Sequence, residues 1–328
     1  AVSGAEVLTG ESDLMKYHDY FVVDCHLHGI FRSAAEGWKA RATEIGFDNL
    51  GGTVDEIIRY MDELGIAQSW CLPAFPSYGL KLVAESRLEP DLTEAQRAEA
   101  DEGIKEDIKG KLERFNESNC TLSRAFPDRL APLVSLDAWF GSDWMVGEVE
   151  KRESQGARGV KLLPDWCRFF PNDRVMWPAY ETIQKLGLTL LCHSGWTGGS
   201  LAARSDSLTE GYTWPSNYAD VLVDFPDIKL ILAHLGERNW KAPGWGLPEA
   251  HLDLARKFPN VWFDISGAQE IEINVPFLRE VGVDRILWGS DWNAHRHSMA
   301  LISMIRSAFT EEEKRKILGE NALKLIEL

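Results

Sequence analysis

Two histidines spaced by one residue, His26 and His28, end the apolar run Phe21-Val22-Val23-Asp24-Cys25-His26-Leu27-His28. In an extended backbone successive side chains alternate faces, so both imidazoles project the same way and form a ready-made metal clamp, while Cys25 and Leu27 point into the opposite layer. Three later apolar runs end in the same kind of side chain: Leu190-Leu191-Cys192-His193, Leu230-Ile231-Leu232-Ala233-His234 and Leu287-Trp288-Gly289-Ser290-Asp291. Four of the eight histidines are used in this way, and the others, at 18, 251, 295 and 297, fall mostly in helical or loop contexts. Imidazole nitrogens with a carboxylate suit a divalent cation of borderline softness, Zn2+ first, with Mn2+ and Fe2+ as alternatives. Such an ion lowers the pKa of a bound water toward about 7. A carboxylate beside that water, here Asp291, can take up its proton and pass it to a leaving group.

Side chains that meet from four separate runs need a scaffold that gathers strand ends. From Phe21 onward, short β-rich runs alternate with amphipathic stretches, the pattern of βα units on a parallel sheet. The predicted strands are Phe21–His28, Ile66–Leu72, Leu130–Leu136, Gly159–Leu163, Leu188–Cys192, Ile228–Ala233, Val261–Ile265 and Arg285–Gly289. One helix is predicted from the capping box Thr53-Val54-Asp55-Glu56 to Gly65, and one long or two shorter helices over Thr93–Arg124. Others follow over Asp143–Ser154, Arg174–Leu186, Asn217–Asp224, Pro248–Phe258 and Glu272–Val281, with Ser298–Phe309 and Glu311–Leu325 as the eighth and a closing helix. This count predicts a (β/α)8 TIM-like barrel, distorted, with extra N-terminal and C-terminal segments, spanning 1–328 as a single domain. In such a barrel, chemistry sits where strands end, and that is where the histidines and Asp291 fall. A doubly wound open sheet is the runner-up, but no strand is followed by a glycine-rich dinucleotide fingerprint.

Composition narrows the partners. A formal net charge of −16 argues against nucleic acid or an anionic membrane, both of which demand a basic face, and favours a small-molecule substrate. No apolar stretch approaches the roughly 18 residues of a membrane span. The five cysteines, at 25, 71, 120, 167 and 192, are odd in number and lack CxxC spacing, which predicts reduced thiols and a cytoplasmic protein. Cys25 and Cys192 each precede a histidine in a strand and are expected to pack as small apolar groups in the outer, helix-facing layer. A homodimer is the expected assembly.

Several motifs together carry a resemblance. They are Asp24-Cys25-His26-Leu27-His28, Gly159-Val160-Lys161-Leu162-Leu163-Pro164, Leu191-Cys192-His193-Ser194-Gly195, Ala233-His234-Leu235-Gly236, Asn260-Val261-Trp262-Phe263-Asp264-Ile265-Ser266, Gly289-Ser290-Asp291-Trp292 and Gly319-Glu320-Asn321-Ala322. The chain resembles the amidohydrolase superfamily, and within it the amidohydrolase-related group that contains aminocarboxymuconate-semialdehyde decarboxylase and the resorcylate decarboxylases. The resemblance implies a distorted (β/α)8 barrel in which His26, His28, His193 and Asp291 bind one divalent metal and His234 is an acid/base or substrate-polarising group. Binuclear members of the wider superfamily carry a carboxylated lysine on the fourth strand, the position of Lys161, and in that arrangement His234 binds the second ion.

The segments after the strands are rich in aromatic and cationic residues, and Arg32, Trp166, Arg168, Trp196 and Arg238 are the expected substrate contacts. They would line an apolar pocket with cationic points, suited to a cyclic or aromatic acid. The leading reading is a metal-dependent hydrolase in which metal-activated water attacks a C–N or C–O bond of a small cyclic or carboxylated substrate. Nonoxidative decarboxylation of an aromatic or enoic acid on the same site is the alternative, and a two-metal iron or manganese oxygenase a further one. A non-catalytic barrel acting as a partner subunit is disfavoured, because a degenerate copy should have lost a ligand. His295 and His297, opening the last predicted helix, read as surface residues.

Overall fold

The computed structural model describes residues 18–29, 52–195, 211–235, 247–268, 271–292 and 297–328. Eight parallel strands pair in chain order: β1 (Val22–His28), β2 (Ile66–Leu72), β3 (Leu130–Ser135), β4 (Gly159–Leu162), β5 (Thr189–Cys192), β6 (Lys229–Leu232), β7 (Val261–Asp264) and β8 (Ile286–Leu287). The last strand meets the first. Leu27 bridges Trp292, and the N–H groups of Cys25, Asp291 and His28 donate to Trp288 O (3.1 Å), His26 O (2.8 Å) and Trp292 O (2.8 Å). The sheet thus closes into the expected (β/α)8 barrel.

Helices α1 (Val54–Leu64), α2 (Ser77–Glu85), α3 (Glu94–Ser123), α4 (Ser142–Glu153), α5 (Pro164–Cys167), α6 (Trp177–Lys185), α7 (Ala219–Asp224), α8 (Leu247–Lys257), α9 (Ile271–Val281) and α10 (His297–Arg306) follow the strands. The α1 boundaries come from local chemistry. Thr53 and Glu56 form the reciprocal capping box, and Gly65, at φ +69°, turns the chain so that β2 begins at the next residue. The Thr93–Arg124 stretch is one helix of 30 residues, opened by a Thr93–Gln96 capping box. Its second half docks on the barrel, where Asn119 donates to Cys71 O (2.9 Å) and Leu133 O (2.7 Å) and Asn116 to Ser135 O (3.0 Å). The short helix α2 was not foreseen from sequence. It starts after Pro76 without a side-chain cap, so it carries no start signal. Among the described residues no helix is long and apolar enough to cross a membrane.

The core has two layers. Val22, Leu27, Val160, Cys192, Leu232 and Phe263 pack outward against helix residues such as Ile57, Met145, Tyr180 and Leu278. Inside the barrel, Val23, Cys25, Trp70, Leu133, Leu191, Ile231 and Leu287 pack with Ala322, Leu325 and Ile326 near the C-terminus. Thr189 Oγ1 and Lys229 Nζ, on the first residues of β5 and β6, donate to Leu325 O at 3.4 and 3.3 Å. The C-terminal segment therefore plugs the end where strands begin, and polar groups collect at the other.

Cys192 faces the helices as expected, but Cys25 does not. The β1–β2 register shifts between Asp24 and Leu27, so the simple alternation fails there. Cys25 joins the interior cluster, while Asp24 accepts from Tyr60 Oη, on α1, at 3.3 Å. All five cysteines are buried free thiols.

Candidate metal centre

The mouth of the barrel gathers His26 and His28 from β1, Lys161 from β4, Asp264 from β7, and His193, His234, Ser266 and Asp291 from the residues just past β5, β6, β7 and β8. All are buried except His28, which is partly exposed. His28 Nε2 lies 3.1 Å from Asp291 Oδ1, and His26 Nε2 lies 3.7 Å from the same oxygen. Among the described residues, two groups of three bring donor atoms within 4.8 Å of one another: His26, His28 and Asp291; and His26, His234 and Asp264.

Hydrogen bonding tells the two groups apart. His28 Nδ1 faces Leu72 O at 3.3 Å, and a carbonyl can only accept, so Nδ1 carries the proton and Nε2 presents its lone pair toward Asp291. His26 Nδ1 faces Asp264 Oδ2 at 2.9 Å, which fixes the same tautomer and leaves Nε2 with a lone pair 3.3 Å from Lys161 Nζ. The second group is largely satisfied by protein donors. Asp264 Oδ1 accepts from the backbone N–H of His234 (3.1 Å) and of Ser266 (3.0 Å), and from the Ser266 hydroxyl. His234 Nδ1 meets Ser266 O at 3.3 Å and Ser266 Oγ at 2.9 Å, which leaves Nε2 as its basic nitrogen. The first group thus offers outward lone pairs and a carboxylate, a donor set that fits a divalent cation, and the second supports it from behind.

Two of these residues adopt unusual backbone. His234 (φ +67°) and Asp291 (φ +54°) lie in the left-handed region, which costs a non-glycine residue on the order of 1–3 kcal/mol. The Asp264 acceptor for His234 N–H and the His26 carbonyl for Asp291 N–H hold both turns in place. Gly289 is needed for a different reason. A Cβ there would sit 2.6 Å from the Cβ of His26. Gly289→Ala is therefore expected to displace His26 and weaken divalent-metal binding by about tenfold or more, the scale of a lost supporting contact. Competition with a chromogenic chelator reads this, and unchanged affinity would show that β1 gives way freely.

Charge states suit ligation. Burial, helped by the Lys161 ammonium, pushes His26 down to about 3, and burial with His234 close by also holds His193 well below the usual histidine range. Both imidazoles are then neutral near pH 7. Burial by itself raises the Asp264 carboxyl, but the imidazoles of His26 and His234 and the Ser266 hydroxyl outweigh it and keep the group ionised, below the usual carboxylate range. Burial lowers Lys161 to about 8 against the pull of Asp264 and Asp291.

The sequence-predicted residues separate into four sets. His26, His28 and Asp291 meet as expected, with Lys161 beside them. His193 stands next to that group rather than within it, edge to face against His234 with ring centroids 4.6 Å apart. Trp166 packs against the outer core and Arg168 lies over the rings of Tyr78 and Tyr212. Arg32, Trp196 and Arg238, as well as His295, lie outside the described residues. Asp264 and Ser266 received no role in the sequence reading. The signal was there: they repeat the one-residue spacing of His26 and His28 at another strand end.

A search of curated proteins returns no match to this chain. The sequence model of the amidohydrolase family matches residues 23–328. Among solved structures, the 5-carboxyvanillate decarboxylase of Sphingomonas paucimobilis is similar over 94% of this chain and 99% of its own, with a TM-score of 0.66 and 16% identity. A 2,6-dihydroxybenzoate decarboxylase complexed with 2,6-dihydroxybenzoate matches over 94% of this chain and 100% of its own, with a TM-score of 0.67 and 16% identity. A dihydroxybenzoic acid decarboxylase from Polaromonas sp. JS666, with bound manganese and the inhibitor 2-nitroresorcinol, matches over 94% and 97%, with a TM-score of 0.65 and 16% identity. At such identity the likeness is one of fold.

Proposed function

Because the chain belongs to the amidohydrolase family, we propose that it is a divalent-metal-dependent decarboxylase, removing CO2 without oxidation from a small aromatic carboxylic acid. The observation that carries this is the His26, His28 and Asp291 group at the barrel mouth, its two imidazoles fixed with Nε2 lone pairs toward one carboxylate. Between decarboxylation and hydrolysis, decarboxylation has the better support, because proteins that share the fold over nearly the whole chain are decarboxylases. Mn2+ is the ion to test first, since one of them holds manganese, and imidazole with carboxylate accepts it as well as Zn2+.

In this reading His26 and His28, through Nε2, and Asp291 would hold the ion, with His193 completing the set. A divalent ion held there would supply positive charge that stabilises negative charge on the substrate's carboxylate. The Lys161 amine, 3.3 Å from His26 Nε2, adds a positive group that orients the carboxylate. His234 takes up a proton at Nε2 and delivers it to the ring carbon bearing the carboxylate. The bond from that carbon to the carboxylate then breaks, its electron pair restores the aromatic ring, and neutral CO2 departs.

The test is to strip the protein with chelator, reload it with Mn2+ or Zn2+, and offer hydroxylated benzoic acids beside matched lactones and amides. Metal-dependent CO2 release from a benzoic acid is the expected result. Ring opening or amide cleavage without CO2 release would return the site to hydrolysis.

A further inference from the structure

Asp24 opens the motif Asp24-Cys25-His26-Leu27-His28, two residues before the first imidazole, yet it joins neither group of metal-competent side chains among the described residues. It is fully buried. A carboxylate taken out of water needs donors in place of the water it loses. Asp24 Oδ1 accepts the N–H groups of His26 (3.2 Å) and Ser290 (2.9 Å), and Oδ2 accepts the hydroxyls of Ser290 (2.5 Å) and Tyr60 (3.3 Å). The Oδ1 atom is thus a direct bridge. It binds the N–H of one proposed metal ligand, His26, and the N–H beside another, Asp291.

The Ser290 end of this bridge sits where the backbone most needs support. Asp291 follows at φ +54°, and a non-glycine stays in that region when its surroundings over-determine it. Asp24 pins Ser290 twice, through the backbone and through the hydroxyl, and Ser290 Oγ in turn accepts the Trp292 N–H at 2.9 Å. From the helix side, the Tyr60 ring stacks on that of Trp292 with centroids 5.1 Å apart. The residues on both sides of Asp291 are therefore held by one network that centres on Asp24.

Closing the barrel does not require this carboxylate. The first and last strands are joined along the backbone, by Cys25 N–H to Trp288 O (3.1 Å) and by Asp291 N–H to His26 O and His28 N–H to Trp292 O (both 2.8 Å). What Asp24 adds falls on His26 and on the turn that aims Asp291.

We propose that Asp24 is a positioning residue for the metal centre: its carboxylate sets the spacing between the His26 and His28 clamp and the Asp291 carboxylate. The proposal rests on the reading of His26, His28 and Asp291 as metal ligands, and it holds whether the reaction is decarboxylation or hydrolysis.

Co2+ added to the full chain after chelator treatment tests this, with affinity read by chelator competition and ligand geometry by the visible absorption bands of the bound ion. Asp24→Asn keeps shape and keeps an oxygen for the two N–H groups, but its NH2 cannot accept from Ser290 Oγ, and the charge that strengthened these bonds is gone. Affinity is expected to fall by about tenfold or more, the scale of a lost supporting partner, with altered bands. Ser290→Ala cuts the same link from the other end and should do the same; it carries the test by itself if Asp24→Asn does not fold. Because both act on one link, the double variant should bind no more weakly than the weaker single variant. Leu278→Ala, which opens space in the outer layer at α9, should lower the melting temperature and keep wild-type affinity and bands. Wild-type affinity with unchanged bands in a folded Asp24→Asn or Ser290→Ala, losses that add in the double variant, or an equal loss in Leu278→Ala would each overturn the proposal. Failure of the wild type to bind Co2+ would instead overturn the ligand assignment beneath it.

Discussion

Asp264→Asn is expected to lower divalent-metal affinity by roughly 10- to 100-fold, the range for a lost supporting carboxylate, although the side chain lies behind the proposed ligands. The reason is a proton count. Asp264 accepts from His26 Nδ1 (2.9 Å), from His234 N–H (3.1 Å) and from Ser266 N–H (3.0 Å), and it is the acceptor that keeps the His26 proton on Nδ1. An amide at this place turns an N–H2 donor toward one of these donors. If it faces His26, the imidazole must move its proton to Nε2 and lose the lone pair that faces Asp291. If it faces the backbone, two buried N–H groups go unpaired, at about 1–3 kcal/mol each. Either outcome disturbs His234 too, because its turn and its Ser266 contact hang from the same carboxylate. Metal affinity by chelator competition and the ring nitrogen shifts of His26 in a 15N spectrum read the effect. Wild-type affinity with an unchanged His26 tautomer would show that Ser266, 3.0 Å from His26 Nδ1, suffices by itself.

How much of this was visible in the residues follows from how local each signal is. Strand order, the caps at Thr53 and Thr93, and the gathering of His26, His28 and Asp291 all rest on short-range chemistry: period-two alternation, capping spacing, and turn residues after apolar runs. The inward face of Cys25 was not legible, because it depends on a register shift set by the neighbouring strand. The role of Asp264 was signalled only by its one-residue spacing from Ser266 at a strand end, because its pairing with His26, 238 residues away, depends on side-chain geometry that this spacing does not specify. Arg168, read as a substrate contact from its place after β4, sits in a left-handed turn after α5 with its guanidinium over the Tyr78 ring, a placement that sequence spacing does not specify.

His234→Asn should keep one metal per chain and lose turnover by ~10²–10⁴, the usual contribution of a positioned acid or base. The Nδ1 of His234 is occupied by Ser266, and its ring packs between His26 (centroids 4.8 Å apart) and His193 (4.6 Å), so the imidazole is held in one orientation with Nε2 as its working nitrogen. Asparagine keeps a polar group of similar reach but cannot carry a proton. Lys161 decides whether this reading is complete. Its Nζ lies 3.3 Å from His26 Nε2, and burial lowers its pKa to about 8, so a sizeable fraction is free amine in mildly alkaline solution. A free amine can add CO2. A carboxylated Lys161 would be an anion able to bridge a second ion, and His234 would then be needed as a ligand rather than as a proton carrier. The two arrangements predict different metal counts. With one ion, Lys161→Ala leaves the count unchanged and raises KM for the carboxylate substrate more than it lowers kcat, because it removes an orienting charge. With two, Lys161→Ala and His234→Asn each remove one ion per chain, and a short carboxylic acid restores the lysine variant. Metal analysis of the wild type and both variants, with the intact mass of the native chain, separates them. Two ions per chain together with a mass increase of one CO2 would overturn the single-metal reading and make hydrolysis or redox chemistry the better account of this site.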